Sequence, residues 1–430
     1  MRRLLNIQVV FLTSFALLLG TLFQRAQGEE ILPQGISAEN LTLEALIKEA
    51  FSRNPDLKAK KAEYEAKRSK AAGEWLPEDP EVGMDVEGQS QLFKAEDRMN
   101  YEFMAMQSIP FPSKLFLKGV IASKEADMAY QNFKEGERNL IWRVEQSYYE
   151  LFLVKKTLVA LGEIRTLLEQ FSQVVKARYE ANQVTQADNL KVGIEISQLD
   201  VEIFNWQQRE HVLEANISKQ LNQPLETQYS SKEPTQDGAL SLERPELERI
   251  ALDKRPELKM LEIGIKRAKN ARTLAKTEWL PDITFRVEAR KFKGEDDVRE
   301  YDNFIGFSFP LWSLARGAKG EWKSADEDVR FAESTYLDMK NEVLLRVHEA
   351  YARFESARNA LKNYENIILP QAKQQVQVSL SAYEAGKMDI LMLIDAQRTL
   401  KNVQIEYSKA VAEYEMGLSD LKLAIGDDLK

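Results

Sequence analysis

Two hairpin-like stretches constrain the fold of this chain more than any other feature. Residues 281–310 and residues of about 80–110 each contain two short runs in which apolar and polar side chains alternate, and Pro110 and Pro310 close them. A period of two predicts a β-hairpin with one apolar face and one charged face. The alternating apolar positions are Val82, Met84, Val86, Tyr101, Phe103, Ala105, Ile283, Phe285, Val287, Ala289, Ile305, Phe307 and Phe309.

Residues 1–28 are predicted to be a secretory signal. Arg2 and Arg3 precede an apolar run, and residues 26–28 fit a small-residue cleavage site. The apolar run is too short for a good membrane span. The sequence contains no Cys, which excludes disulfides, thiolate metal sites and a lipid on an N-terminal Cys. Removing the three arginines of the signal takes the formal charge from −9 to −12, which argues against binding to nucleic acid.

The remaining sequence has the spacing of long helices and repeats itself. A coiled-coil pattern covers about residues 113–181, which corresponds to a helix of roughly 100 Å. Several motifs recur in the same order about 200 residues later, which predicts two repeats, residues 29–230 and residues 231–430. Each repeat is expected to contain a helix, a hairpin, a long helix and a further helix. Recurring pairs are Asn54-Pro55 and Arg255-Pro256, Trp75-Leu76-Pro77 and Trp279-Leu280-Pro281, and Tyr179-Glu180-Ala181 and Tyr383-Glu384-Ala385.

The apolar hairpin faces favour contact with lipid. Unpaired backbone groups in hydrocarbon cost several kcal/mol each, so a membrane sheet must close into a barrel of at least about eight strands. One chain supplies four strands, so several chains must pool them. The charged faces then line water, and the helices extend the barrel as a tube. A periplasmic coiled-coil scaffold with covered β caps, which forms no channel, is the alternative.

Several of these motifs resemble the TolC-like outer membrane efflux proteins. The resemblance covers the chain beyond its signal and implies a mostly α fold with membrane β, in which a homotrimer forms a 12-stranded barrel joined to an α-helical barrel. It implies an outer membrane location in a Gram-negative bacterium, a periplasmic adaptor and an inner membrane pump, with the RND type as the candidate. The motifs are Asn54-Pro55-Asp56-Leu57, Trp75-Leu76-Pro77, residues 107–114, residues 383–389 and residues 393–398.

The function implied by this resemblance is an efflux exit duct in the outer membrane. The segment Pro110-Phe111-Pro112-Ser113-Lys114 is most similar to the branch that serves heavy-metal cation pumps. An exit duct for type I protein secretion is an alternative within the same fold. Many family members carry lipid on a Cys after the signal, and this chain departs from them. No enzymatic constellation and no cofactor or metal site is expected, because His211 and His348 each stand alone on a predicted helix.

The resemblance also assigns roles to the turns that join the helices. Two turns are expected to form periplasmic tips that contact the adaptor, with Asn182, Gln183, Gly386 and Lys387 as candidates. Ordinary turn chemistry also explains Gly386. The candidate residues for the periplasmic aperture are Asp395, Met392 and Asp389.

Two alternatives remain open for these candidates. Asp395 is either part of an acidic ring or an exposed helical residue paired with Arg398. Trp75 and Trp279, with Pro110 and Pro310, mark the junctions between helices and strands, where they either form an aromatic belt at the membrane surface or pack the junction.

Overall fold

The computed structural model describes residues 42–87, 100–181, 185–231, 243–292, 297–385, 387–388 and 390–428. Long helices dominate, and the strands form two hairpins between them. None of the described helices combines the length and the apolar character needed to cross a membrane. The elements are α1 (Leu43–Arg53), α2 (Pro55–Gly73), β1 (Glu81–Glu87), β2 (Asn100–Ile109), α3 (Pro112–Glu180), α4 (Gln186–Leu221), α5 (Arg244–Lys254), α6 (Pro256–Thr277), β3 (Asp282–Lys291), β4 (Glu300–Ser308), α7 (Leu311–Arg316), α8 (Trp322–Asn363), α9 (Leu369–Glu384) and α10 (Ile390–Ile425).

The four strands form one antiparallel sheet in the order β1-β2-β3-β4, so the two hairpins pair with each other. β3 extends to Lys291 and β4 begins at Glu300, within the predicted hairpin of residues 281–310. The register places the predicted apolar positions on one face, because Met84 pairs with Phe103 and Phe103 with Ala289. The charged positions share the other face. Within the described sheet, β1 and β4 each pair on one side only.

In both halves of the chain, the side chain of the residue before a helix donates to a backbone carbonyl of another helix, at corresponding places. In the first half, Asn54 Oδ1 accepts from the Leu57 amide at 2.9 Å, and Asn54 Nδ2 donates to the Gln220 carbonyl at 2.9 Å. In the second half, Arg255 Nη1 donates to the Ala424 carbonyl at 3.1 Å. Each contact fixes the start of a helix, α2 or α6, to the last turn of the helix that ends its half.

Two further features match between the halves. Arg143 pairs with Asp56 at 3.3 Å, and Arg346 pairs with Glu257 at 3.4 Å. The helices α4 and α10 are each followed by a residue of positive φ, Asn222 at 51° and Gly426 at 71°. A left-handed residue at this position ends a helix, and Asn and Gly tolerate it best.

The apolar core follows the seams between the helices instead of forming one compact centre. One cluster joins α1, α3 and α4 through residues such as Leu46, Leu151 and Ile217, which are almost fully buried. A second joins α5, α8 and α10 around Phe354. Two π-helical segments interrupt the second half, at Gly317–Glu321 and at Tyr364–Ile368, immediately before the helix that contains Pro370.

Candidate functional site

The ends of four helices meet at the tip of the coiled-coil region. Phe171 and Val175 of α3, Val192 of α4, Tyr383 of α9 and Leu393 of α10 belong to one buried apolar cluster. These side chains recur at helical spacing on each helix, so each helix places an apolar stripe towards the others. The predicted tips of both halves therefore lie at the same end of the molecule.

Polar contacts also join the two halves near this tip. Arg398 of α10 forms an ion pair with Glu195 of α4, and its Nε donates to Glu195 Oε2 at 3.2 Å. One turn further along, Lys401 Nζ lies 2.9 Å from Glu202 Oε2. The contacts hold α10 against α4 through opposite charges, and all four side chains retain some contact with solvent.

The exposed side of α10 carries the described aperture candidates. Met392 is 62 % exposed and Asp395 is also exposed, while Leu393 and Ile394 face the buried cluster. Arg398, the partner suggested for Asp395 in one alternative, forms its ion pair with Glu195 of α4.

The described part of the chain covers only some of the remaining tip candidates. The Lys387 amide donates to the Ala382 carbonyl at 2.9 Å, which closes the end of α9 with the six-to-one bond of a Schellman motif. Asn182, Gln183, Gly386 and Asp389 lie outside the described residues.

The charged face of the sheet is a connected network across three strands. Arg290 of β3 contacts Glu102 of β2 at 3.4 Å, Asp302 of β4 at 3.0 Å and Glu288 of its own strand at 3.1 Å. Glu288, only 6 % exposed, also pairs with Arg286 at 2.8 Å. Opposite charges in neighbouring cross-strand positions stabilise a register, and this face suits contact with water.

At the helix-to-strand junctions, each predicted tryptophan lies partly exposed. Trp75 is 40 % exposed, packs its ring against the backbone of Gly119 and meets Phe116 edge to face at 5.6 Å. Trp279 is 45 % exposed. Pro110 and Pro310 lie just beyond the last residues of β2 and β4.

An ion pair between a buried lysine and a partly exposed aspartate connects the two hairpin junctions, and the sequence pattern did not predict it. Lys114 Nζ lies 3.0 Å from Asp282 Oδ1, and the Phe111 amide donates to the same oxygen at 2.9 Å. The Lys114 side chain is only 4 % exposed. The Lys of the Pro-Phe-Pro-x-Lys segment therefore joins the start of α3 to the start of β3.

Two buried carboxyl groups lie in the seam between α3 and α10. Glu145 is 7 % exposed and accepts a hydrogen bond from Ser419, and Glu415 is 8 % exposed beside Tyr149. Burial raises the pKa of Glu145, against the opposing effects of Ser419 and Lys422. Burial likewise raises the pKa of Glu415.

Among the residues that the structure describes, no group of three or more His, Asp or Glu side chains is placed to hold a metal ion. His348 Nδ1 lies 3.1 Å from Arg244 Nη1. His211 Nδ1 lies 3.8 Å from Glu214, and its side chain is 64 % exposed. Within the described ranges, neither histidine therefore belongs to a converging set of ligands.

Comparisons with known proteins agree with this architecture. The model of the outer membrane efflux protein family matches residues 247–427. The cobalt-zinc-cadmium resistance protein CzcC of Cupriavidus metallidurans is 22 % identical over 381 residues, which cover 86 % of each chain. The outer-membrane channel OprN superposes with a TM-score of 0.78 at 16 % identity, covering 91 % of this chain and 92 % of OprN.

A further solved structure, the outer membrane protein VceC of Vibrio cholerae, superposes with a TM-score of 0.76 at 14 % identity and covers 90 % of this chain and 97 % of its own. The family match lies in the second half, whereas the CzcC alignment and the shared fold cover most of the chain. The second half of the chain therefore matches the outer membrane efflux protein family, and the chain shares the fold of these solved outer membrane channels.

Proposed function

We propose that the chain is the outer membrane exit duct of a tripartite efflux system, and that three copies form one 12-stranded barrel continued by a tube of helices. The observation that carries this proposal is the four-stranded sheet, with one apolar face, one charged face and an outer strand on each side that pairs only once. Because the strands alternate in direction, β4 of one copy can pair with β1 of the next in antiparallel fashion. Closure removes every sheet edge, which a bilayer requires.

The charged sheet face then lines the lumen and favours cations. Acidic residues outnumber basic ones on this face, and three copies multiply the excess. A ring of fixed charge attracts ions of opposite sign and lowers the entry of ions of the same sign. The face contains Glu81, Asp85, Glu87, Glu102, Glu288, Glu300 and Asp302 against Arg286 and Arg290.

Divalent metal cations are the proposed substrate class. The name of the CzcC relative refers to cobalt, zinc and cadmium resistance, and the CzcC alignment covers most of both chains. The cations are cargo here, in agreement with a lumen that attracts them without a closed ligand set. Energy comes from an inner membrane pump, which a periplasmic adaptor connects to the tips.

The first test is the location and mass of the full-length protein. Expressed with its signal, it should appear in the outer membrane fraction, and light scattering in detergent should give three times the mass of one chain without residues 1–28, which is less than the 49.4 kDa of the full sequence. Planar bilayers should then show channels whose reversal potential favours potassium over chloride. A monomer in the soluble periplasm would contradict the duct and favour the scaffold.

The tip contacts give a second test of the same proposal. Arg398→Glu places two acids side by side on α4 and α10, so the tip is expected to loosen and the conducting fraction to rise. Exchanging the charges in Glu195→Arg/Arg398→Glu should restore wild-type conductance, because it restores opposite charges. Asp395→Ala is expected to reduce cation preference, since Asp395 lies exposed on the same helix. Unchanged channels in both Arg398→Glu and Asp395→Ala would place the aperture elsewhere.

A further inference from the structure

The short helix α7, between strand β4 and helix α8, exposes its apolar side chains. Leu311 is 69 % exposed, Trp312 is 79 % exposed and Leu314 is 41 % exposed, and no residue of α7 is buried. Water-exposed Trp and Leu side chains grouped on six residues form an apolar patch, which usually marks a binding surface.

This patch continues the apolar face of the sheet. Ile305 and Phe307 lie on that face, and Phe309 follows in the same alternation with 69 % exposure. The Leu311 amide donates to the Phe309 carbonyl at 2.8 Å, so the chain turns from strand into helix within two residues of Phe309. We therefore expect the medium that covers Ile305 and Phe307 to cover α7 as well.

A break in the helix separates α7 from the long rod that follows. The π-helical segment Gly317–Glu321 lies between α7 and α8, and the Trp322 ring packs so closely on Gly317 that a Cβ there would lie 2.5 Å from Trp322 Cε2. Trp322 Nε1 donates to the Ala275 carbonyl of α6 at 3.1 Å. The rod is thus fixed to α6 directly after the break. In the first half, α3 runs from Pro112 without such a break.

Basic side chains flank the apolar patch. Arg316, Lys319 and Lys323 are exposed, and Glu321 is the acidic residue among them, 3.2 Å from Arg316. The chain as a whole carries a net charge of −9, so this basic segment departs from the average. Exposed Trp and Leu next to Lys and Arg are typical of helices that lie in the interface of a phospholipid bilayer.

We propose that α7 and Phe309 lie in the headgroup region of the periplasmic leaflet and act as an interfacial foot. Trp312 and the two leucines enter the acyl boundary, while Lys319 and Lys323 contact lipid phosphates. The proposal rests on the proposed function, which puts the apolar sheet face in the bilayer. The foot fixes the depth of the sheet in a chain without a Cys to carry lipid.

The lack of Cys makes the test direct, because one introduced Cys gives one labelled position. Trp312→Cys is labelled with an environment-sensitive fluorophore in the full-length protein, which is reconstituted into phospholipid vesicles that contain nitroxide lipids. A nitroxide near the headgroup is expected to quench the Trp312→Cys label at least about twofold more than one deep in the acyl chain. Phe331→Cys on α8 is the matched control, since Phe331 is 73 % exposed but lies beyond the break, and its label should escape lipid quenching.

Ile305→Cys tests the proposed function separately. Its label, on a sheet position that is 64 % exposed, should be quenched best by the deep nitroxide. If Ile305→Cys is quenched but the Trp312→Cys label is shielded from every nitroxide lipid and from water, a second copy covers α7 and the foot is overturned. The foot is also overturned if the Trp312→Cys label is as accessible to water as the Phe331→Cys label. Absence of lipid quenching at Ile305→Cys would instead reject the membrane sheet itself.

Discussion

Asp282→Asn is expected to destabilise the protein much more than Lys114→Met, although the two residues are partners. The Lys114 side chain is 4 % exposed and its ammonium lies 3.0 Å from Asp282, whose side chain is 30 % exposed. Loss of the carboxylate charge leaves the ammonium buried without compensation, which costs about 3–5 kcal/mol. Loss of the ammonium leaves a partly solvated carboxylate that still accepts from the Phe111 amide, so about 1–2 kcal/mol is expected.

The free energy of unfolding in urea, followed by tryptophan fluorescence of the protein in lipid vesicles, measures the difference. Lys124→Met is the matched control, because Lys124 pairs with Asp127 at 2.8 Å on the surface, with the two side chains 31 % and 50 % exposed. It should change stability by less than about 1 kcal/mol. The double variant Lys114→Met/Asp282→Asn should be more stable than Asp282→Asn alone. Equal losses in the two single variants would refute the reasoning.

Two further predictions concern packing and pH. Gly119→Ala places a Cβ 2.6 Å from Trp75 Cε2 and is expected to lower the free energy of unfolding by about 1–3 kcal/mol. Gly162→Ala is the control, because a Cβ there has nothing within 4 Å, and it should stabilise α3 by up to about 1 kcal/mol. Equal melting temperatures of the two variants would contradict this prediction. Burial raises the pKa of Glu145, so its contribution to stability is full below the unfolded value of 4.5 and is lost as pH rises through the folded pKa. The melting temperature of Glu145→Gln should therefore exceed that of the wild type by an amount that grows from pH 5 to pH 7.5. A difference that does not change with pH would argue against the buried carboxyl.

The faces of the strands could be predicted from the sequence, because side chains alternate in any extended strand whatever its neighbours are. The register could not, since it depends on side-chain packing between strands. Arg290 contacts Glu102, a residue of the other hairpin 188 positions away, and neither local pattern indicates this contact.

The candidate site shows the same limit. The sequence placed Asp395 on a helix near a tip, and one of its two alternatives suggested Arg398 as the partner because residues three apart on a helix are neighbours. Arg398 pairs instead with Glu195, 203 positions away, because α10 packs on α4. The break after α7 was missed although Gly317 and Gly320 gave a local signal for it, since glycine lowers the helix propensity of a segment.

The single pairing of β1 and β4 has a genetic consequence in the proposed trimer. A subunit whose β1 cannot pair, for example one with Val82→Pro, could fold its helices and still enter a ring that never closes. With equal expression of altered and normal subunits and random mixing, only about one eighth of the rings would be wholly normal. Such an allele would behave as dominant over the normal gene, whereas a subunit that fails to fold at all would be recessive.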